Sequence, residues 1–197
     1  MKEFHIAVIP VGRMDVAEVE AAMVRVSKLL RRPLELRATL PVPQGSEDRE
    51  RGQFRAAKLM NGLRALVPQH GPGRMVGVED RQAPLKPDAH LFVTDVDLFT
   101  AKSDGVYAAL IPSKRLAVVS VRRLREAFYR RPADPVKQRT RLVKEMLRMA
   151  VRLLGMSECG DPKCVFSPSK VMADIDIKEE RICRACTQSL FEGTMRI

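Results

Sequence analysis

The chain contains four cysteines, and all of them fall between positions 159 and 186. Cys159 and Cys164 form a Cys-x4-Cys pair, Cys183 and Cys186 a Cys-x2-Cys pair. Two close pairs of thiolates can enclose one tetrahedral Zn²⁺ with Zn–S bonds of about 2.3 Å. Two disulfides are the competing use. Tight Cys-x2-Cys pairs serve as metal knuckles or redox motifs far more often than as structural disulfides, and the Gly160–Asp161–Pro162–Lys163 turn suits a knuckle. The spacing therefore predicts a tail folded around one zinc ion. Four thiolates leave no open position for water, so that zinc is expected to be structural. A redox role for Cys183 and Cys186 fits less well, because the pair does not open a helix after a strand.

A chain of 197 residues suffices for one domain with its own core. Apolar residues make up 45% of it but aromatic residues only 5%, with no Trp, so the core must be built from Leu, Val, Ile, Ala and Met. The formal net charge of +11 suits phosphate polymers or acidic partners. The basic residues are spread along the chain, however, which also fits a surface selected for solubility or heat stability. The N-terminal apolar run is too short for a signal peptide, and no stretch reaches the length of a membrane span. A soluble, cytoplasmic protein with no membrane partner is expected.

Phe4 to Pro10 reads as a buried strand. Asp15 is a candidate N-cap for a helix carrying Val16, Val19, Met23, Val26, Leu29 and Leu30, closed by Arg31 and Arg32. Leu34 to Ala38 alternates like a strand. That completes a βαβ unit and implies a partly parallel sheet. After a turn at Pro41 to Ser46, helical spacing runs from Glu47 to Val67. Pro68 to Pro87 reads as a loop with a short strand at Met75 to Val78. Its Gly71-x-Gly73-x3-Gly77 run follows no strand and is turn chemistry rather than a nucleotide-binding loop. His90 to Phe99 reads as one strand leading to a polar rim, and Gly105 to Ile111 and Arg115 to Val121 as two more. A basic connection with Arg122, Arg123, Arg125, Arg130 and Arg131 leads to a long helix from Asp134, with Pro135 at its first position, to about Leu154.

The expected fold class is α/β (α+β): a twisted mixed, partly parallel β-sheet with packed helices, a long helix and a C-terminal tail whose four cysteines bind zinc. One domain over residues 1–197 is expected. Its sheet-and-helix part spans 1–133, and the long helix plus tail spans 134–197.

On the long helix, Val143, Leu147, Ala150, Val151 and Leu154 share one stripe at about 100° per residue and must face the core. Arg141, Glu145, Arg148 and Arg152 share the opposite side, with Met149 at its edge. Arg148 and Arg152 are four residues apart, a mildly repulsive spacing. Either Glu145 and Glu158 reach them in an ion-pair cluster, or all are solvated in an open cleft. Positive charge left over there would make an anion site, for a peptide carboxylate or a phosphate.

The long helix, the glycine after it and the four cysteines together resemble the signature His-Glu-x-x-His-x-x-Gly-x-x-His-Cys-x4-Cys-x-Met of the archaemetzincins, small metzincin-like zinc metallopeptidases. Gly155 falls on the motif's glycine, Cys159 and Cys164 on the first cysteine pair, and Cys183 and Cys186 on the second. The segments Val93 to Phe99 and Ala117 to Leu124 also resemble family segments, in the same order. The resemblance implies a metzincin-like fold whose long helix is the active-site helix. It sets Arg148 at the first histidine, Met149 at the glutamate, Arg152 at the second histidine, Glu158 at the third, and Phe166 at the methionine beneath the metal. Arginine has no lone pair to give and stays protonated at any working pH. Met149 cannot accept a proton from a bound water. Glu158 alone is a poor metal site. His5, His70 and His90 are remote in sequence. None of the family's catalytic roles carries over, so one structural zinc and no catalytic zinc are expected.

The leading expectation is a metallopeptidase-family protein, inactive or atypical as a protease, that keeps a peptide-binding cleft along a sheet edge near Arg115 to Val121. An active peptidase would need unorthodox ligands such as Asp95, Asp97 or a histidine. A nucleic-acid-binding module using the zinc knuckle and the basic surface is a third reading. It is weakened by the scarcity of aromatic side chains, two Tyr and seven Phe, for base stacking.

Overall fold

The computed structural model describes residues 4–67, 73–77 and 86–191. His70, Gly71 and Val78 lie outside them. The first strand, β1 (Ile6–Val11), is buried along its whole length. β1 pairs in parallel with β2 (Leu34–Leu36) and β6 (Ala89–Thr94), and β6 in parallel with β10 (Leu116–Ser120). β5 (Arg74–Val76) and β9 (Ala108–Ile111) flank these strands as antiparallel edges, giving the order β5-β2-β1-β6-β10-β9. Alternate residues of the parallel strands feed two separate cores. Ile6, Val8, Leu91, Val93, Ala117 and Val119 pack with α1 (Val16–Leu30) and α3 (Pro135–Leu153). Ala7, Ile9, Phe92 and Val118 pack with α2 (Ala56–Leu66) on the other face. Both faces are covered, and this is why the central strands are continuous apolar runs. Each fully buried Leu, Ile or Val side chain contributes about 1.5–3 kcal/mol.

Local chemistry sets the helix ends. The Asp15 carboxylate accepts from Ala17 N at 2.9 Å, and the Asp134 carboxylate accepts from Lys137 N at 2.9 Å, each satisfying a backbone donor that the first turn leaves open. α3 stops at Gly155, whose φ is 90°, a conformation that costs glycine little. There Met156 N donates to Val151 O at 3.3 Å, closing the helix end as a Schellman-type turn.

Three expectations are corrected. Glu47 to Val67 is not one helix: β3 (Glu47–Asp48) and β4 (Gln53–Arg55) precede α2. Gly52, with φ of 62°, turns the chain between them, and Phe54 pairs with Leu98 rather than continuing a helix. His90 to Phe99 is not one strand. Its end, β7 (Leu98–Thr100), belongs to a second sheet of order β3-β4-β7-β8, with β8 at Ser103–Val106. Asp97 sits at the break, held by Arg123 at 2.5 and 2.9 Å and by Gln53 at 2.9 Å. Gly105 to Ile111 divides likewise into β8 and β9, on either side of Tyr107. The basic connection forms two short 3-10 turns, Arg122–Leu124 and Glu126–Tyr129.

The tail carries α4 (Met172–Ile177) and α5 (Arg184–Phe191). Cys164, Val165, Phe166, Ile175, Cys186 and Leu190 join the α1–α3 core. No helix among the described residues is long and apolar enough to cross a membrane.

Candidate metal centre and the ion-pair cluster on α3

Backbone pairing brings the two cysteine pairs together. Val165 N donates to Arg181 O at 3.1 Å and Glu179 N to Lys163 O at 2.9 Å, so the chain on either side of Cys164 lies along the chain leading to Cys183. Cys159 N donates to Phe166 O at 3.1 Å and closes the first knuckle. Cys183 sits just before α5, and its carbonyl accepts from Thr187 N at 2.9 Å, which places Cys186 inside the first turn.

The four sulfur atoms all lie within 4.8 Å of one another, and Cys159 Sγ and Cys183 Sγ are 3.8 Å apart. A tetrahedral zinc with bonds of about 2.3 Å needs sulfur separations of about 3.8 Å. The cysteines are free thiols rather than disulfides, and the donor set fits zinc. Backbone N–H groups of Asp161 and Cys183 point at Cys159 Sγ and Cys164 Sγ, at 3.4 and 3.5 Å, the outer hydrogen bonds that steady thiolate ligands. Cys164 and Cys186 are buried, while Cys159 and Cys183 are partly open. Burial pushes the Cys164 and Cys186 thiols up, whereas backbone hydrogen bonding near Cys186 draws the Cys183 thiol down.

A second cluster lies on α3, where every residue from 141 to 150 is buried. Its charged side is covered by the tail rather than by water. Glu145 is fully buried, and its carboxylate receives Arg148 Nη2 at 2.6 Å and Lys178 Nζ at 3.4 Å. The Ser169 hydroxyl also donates to Glu145, and Lys178 in turn donates to Ser169. Arg148 Nη1 reaches Glu158 at 3.4 Å. Burial alone would push the Glu145 carboxyl up, but the charges of Arg148 and Lys178 and the hydrogen bonds from Arg148 and Ser169 outweigh it and hold the group low. Burial pushes Lys178 and Lys144 down, and Lys144 Nζ caps Ile175 O at 2.9 Å. Toward the N-terminus of the helix, Arg141 clamps Asp176 through two bonds of 2.7 Å and Glu126 through a third of 2.7 Å. Two carboxylates, Glu145 and Glu158, thus face two cations, Arg148 and Lys178, and each bond crosses from the helix to the tail or stays within a turn.

The sequence profile of peptidase family M54 matches residues 44–192. The chain belongs to that family. An archaemetzincin from Natronomonas pharaonis is 23% identical over 190 residues, covering 94% of this chain and 99% of the relative. Among solved structures, a zinc-dependent peptidase from Methanocorpusculum labreanum superposes with a TM-score of 0.79 at 24% identity, over 94% of this chain and 99% of the other. An archaemetzincin from Methanopyrus kandleri does so with a TM-score of 0.72 at 25% identity, over 96% and 95%. The expected mixed α/β archaemetzincin fold is the fold observed.

Within this M54 family frame, the positions singled out by the signature have distinct surroundings. Arg148 is tied to Glu145 and Glu158. Met149 is 3% exposed and belongs to the large core, as does Phe166. Arg152 is half-buried, and its Nη1 donates to Met156 O at 3.4 Å. The structure therefore brings Glu145, Arg148 and Glu158 together and leaves Arg152 beside them without an acidic partner among the described residues. Asp97 is engaged by Arg123, and His90 lies within β6. Among the described residues, the four cysteines are the one group of His, Cys, Asp or Glu side chains placed to hold a metal.

Sequence reasoning missed Lys178, Ser169, Lys144 and the Arg141–Asp176 clamp. One signal was present: Lys178 follows buried Ile175 by three residues and caps the end of α4, where it turns inward with Ile175.

Proposed function

We propose that this archaemetzincin-family protein carries one structural zinc at Cys159, Cys164, Cys183 and Cys186, and that it binds peptides without hydrolysing them through the family's zinc chemistry. The observation that carries the reading is the pairing of Arg148, 8% exposed, with wholly buried Glu145 at 2.6 Å. A permanently charged guanidinium is fixed at the position of the family's first histidine, where it repels a dication and offers no electron pair. Met149, packed in the core, supplies no proton acceptor where the family has its glutamate. The zinc, when bound, ties the tail to the end of α3, and the residues between the cysteine pairs present Ser169, Asp176 and Lys178 to that helix.

Peptide binding needs no metal if it uses a sheet edge. β9 ends the larger sheet, is half-exposed along its length, and lies against α3. An extended peptide added there would gain backbone hydrogen bonds. Arg115 to Val121 contains the interior strand β10, and its neighbour β9 is the edge.

Metal analysis of the purified full chain tests the reading. One zinc per chain, and no chelator-sensitive peptide hydrolysis on zinc addition, is the expected result. Two zinc ions per chain with hydrolysis that a chelator abolishes would overturn it.

A further inference from the structure

Arg148 has two unlike carboxylate partners. Its inner edge meets Glu145 through Nη2 at 2.6 Å and Nε at 3.2 Å, deep in the protein. Its outer Nη1 meets Glu158 at 3.4 Å, and Glu158 is 41% exposed. The inner bonds are those of a tight charge-assisted pair, and the outer one is long for such a pair. A guanidinium whose outer donor is served so loosely retains much of its capacity for a better placed carboxylate. Arg152, one helical turn later on the same side of α3, lies about 6 Å away at the level of the Cβ atoms. Its contact among the described residues is the Met156 carbonyl, at 3.4 Å. Glu145 and Glu158 balance Arg148 and Lys178 in charge, so among the described residues Arg152 leaves one positive charge uncompensated beside a buried guanidinium.

We propose that Arg148 and Arg152 form a recognition site for the carboxylate of a peptide, and that the Glu158 side chain is a built-in occupant which the ligand displaces. The proposal rests on the peptide-binding reading above and names the group of the peptide that is recognised. Glu158 lies past the Gly155 turn, on a segment outside any helix or strand, so its side chain can swing toward water without unfolding α3. The incoming carboxylate takes over Nη1 of Arg148 and gains Arg152. Lys178 and Ser169 keep Glu145 satisfied throughout, so Arg148 stays in place while the outer partner changes. The half-exposed edge of β9 beside α3 gives the rest of an extended peptide a place to lie.

The test uses the zinc-loaded full chain and three probes: N-acetyl-trialanine with a free C-terminus, its C-terminal amide, and inorganic phosphate. Binding is read by calorimetry and by the NMR signals of the arginine Nε–H groups. The free acid is expected to bind and to shift the Arg148 and Arg152 signals, while the amide leaves them unmoved. Glu158→Gln, which removes the competing charge, is expected to tighten binding of the free acid about tenfold, and Arg152→Ala to weaken it about tenfold. Both positions are at least partly exposed, and an unchanged zinc content together with an unchanged far-UV spectrum confirms that the variants are folded. Equal binding of acid and amide, no gain in Glu158→Gln, or no binding of the free acid even there would overturn the proposal. Binding of phosphate but not of the peptide acid would overturn it too. None of these outcomes alters the zinc count or the hydrolysis assay, so the site can fail without the one-zinc, non-hydrolysing reading failing.

Discussion

Glu145 and Arg148, one turn apart on α3, are 2.6 Å from each other and have almost no contact with water. A pair in this position has a large desolvation cost, and it persists because Lys178 and Ser169 fill the remaining acceptor capacity of the carboxylate. Removing one partner is therefore far worse than never having built the pair.

Arg148→Met leaves Glu145 with Lys178 and Ser169 alone, and Glu145→Gln leaves two buried cations facing each other. Each is expected to lower stability by about 3–5 kcal/mol. The double variant is expected to be less destabilised than the sum of the two, with a coupling of about 1–3 kcal/mol. Urea unfolding of the four proteins measures it, and strictly additive losses would show that the two groups do not act as a unit.

Cys183→Ser is expected to abolish tight zinc binding and to lower stability by a few kcal/mol, a fall in Tm on the order of 10 °C. The loosening should be centred on residues 159–186 and on the face of α3 they cover. Hydrogen exchange of the zinc-loaded and chelated proteins checks the location. Loss of protection spread evenly through β1 and β6 would contradict it.

Acid is expected to unpick the Arg141 clamp. Lys137 and Arg141 hold the Glu126 carboxyl well below its ordinary 4.5, at about 2, and Arg141 likewise keeps Asp176 ionised to lower pH against the effect of its burial. A carboxyl depressed in the folded state contributes stability that is present above its unfolded value and lost as pH falls toward its folded value. Stability should therefore decline from about pH 4.5 to about pH 2. Glu126→Gln should make that decline shallower, as measured by urea midpoints across the range.

His90 gives a second, separable signal. Burial, followed by the charges of Arg37 and Arg64, lowers its imidazole to about 4 from an ordinary 6.5. The unfolded chain takes up a proton there first, so this residue's contribution to stability falls as pH drops from about 6.5 to about 4. In the folded protein the His90 ring resonances should show no inflection above about pH 5. An inflection near 6.5 would refute the shift.

Much of the scaffold was legible. Asp15 and Asp134 declared two helices because a short acceptor before an apolar stripe has one good use. The continuous apolar runs of β1 and β6 declared a sheet covered on both faces. The stretch before α2 was misread because Phe54 has helical spacing with Ala57, and only its pairing with Leu98 across the chain makes it a strand. The break at Asp97 was hidden for the same reason, since Arg123 lies 26 residues away.

By itself, then, the sequence determined the four cysteines of the candidate metal centre, the end of the long helix at Gly155, and the absence of imidazoles from that helix. Composition and local spacing are enough for such things. Only the tertiary structure decided that the charged side of α3 is dry, that Lys178 and Ser169 complete Glu145, and that Arg152 stands apart from the ion pairs. Those outcomes depend on which distant segment covers a helix face, and the cost of burying a charge is set by the partners that packing delivers to it.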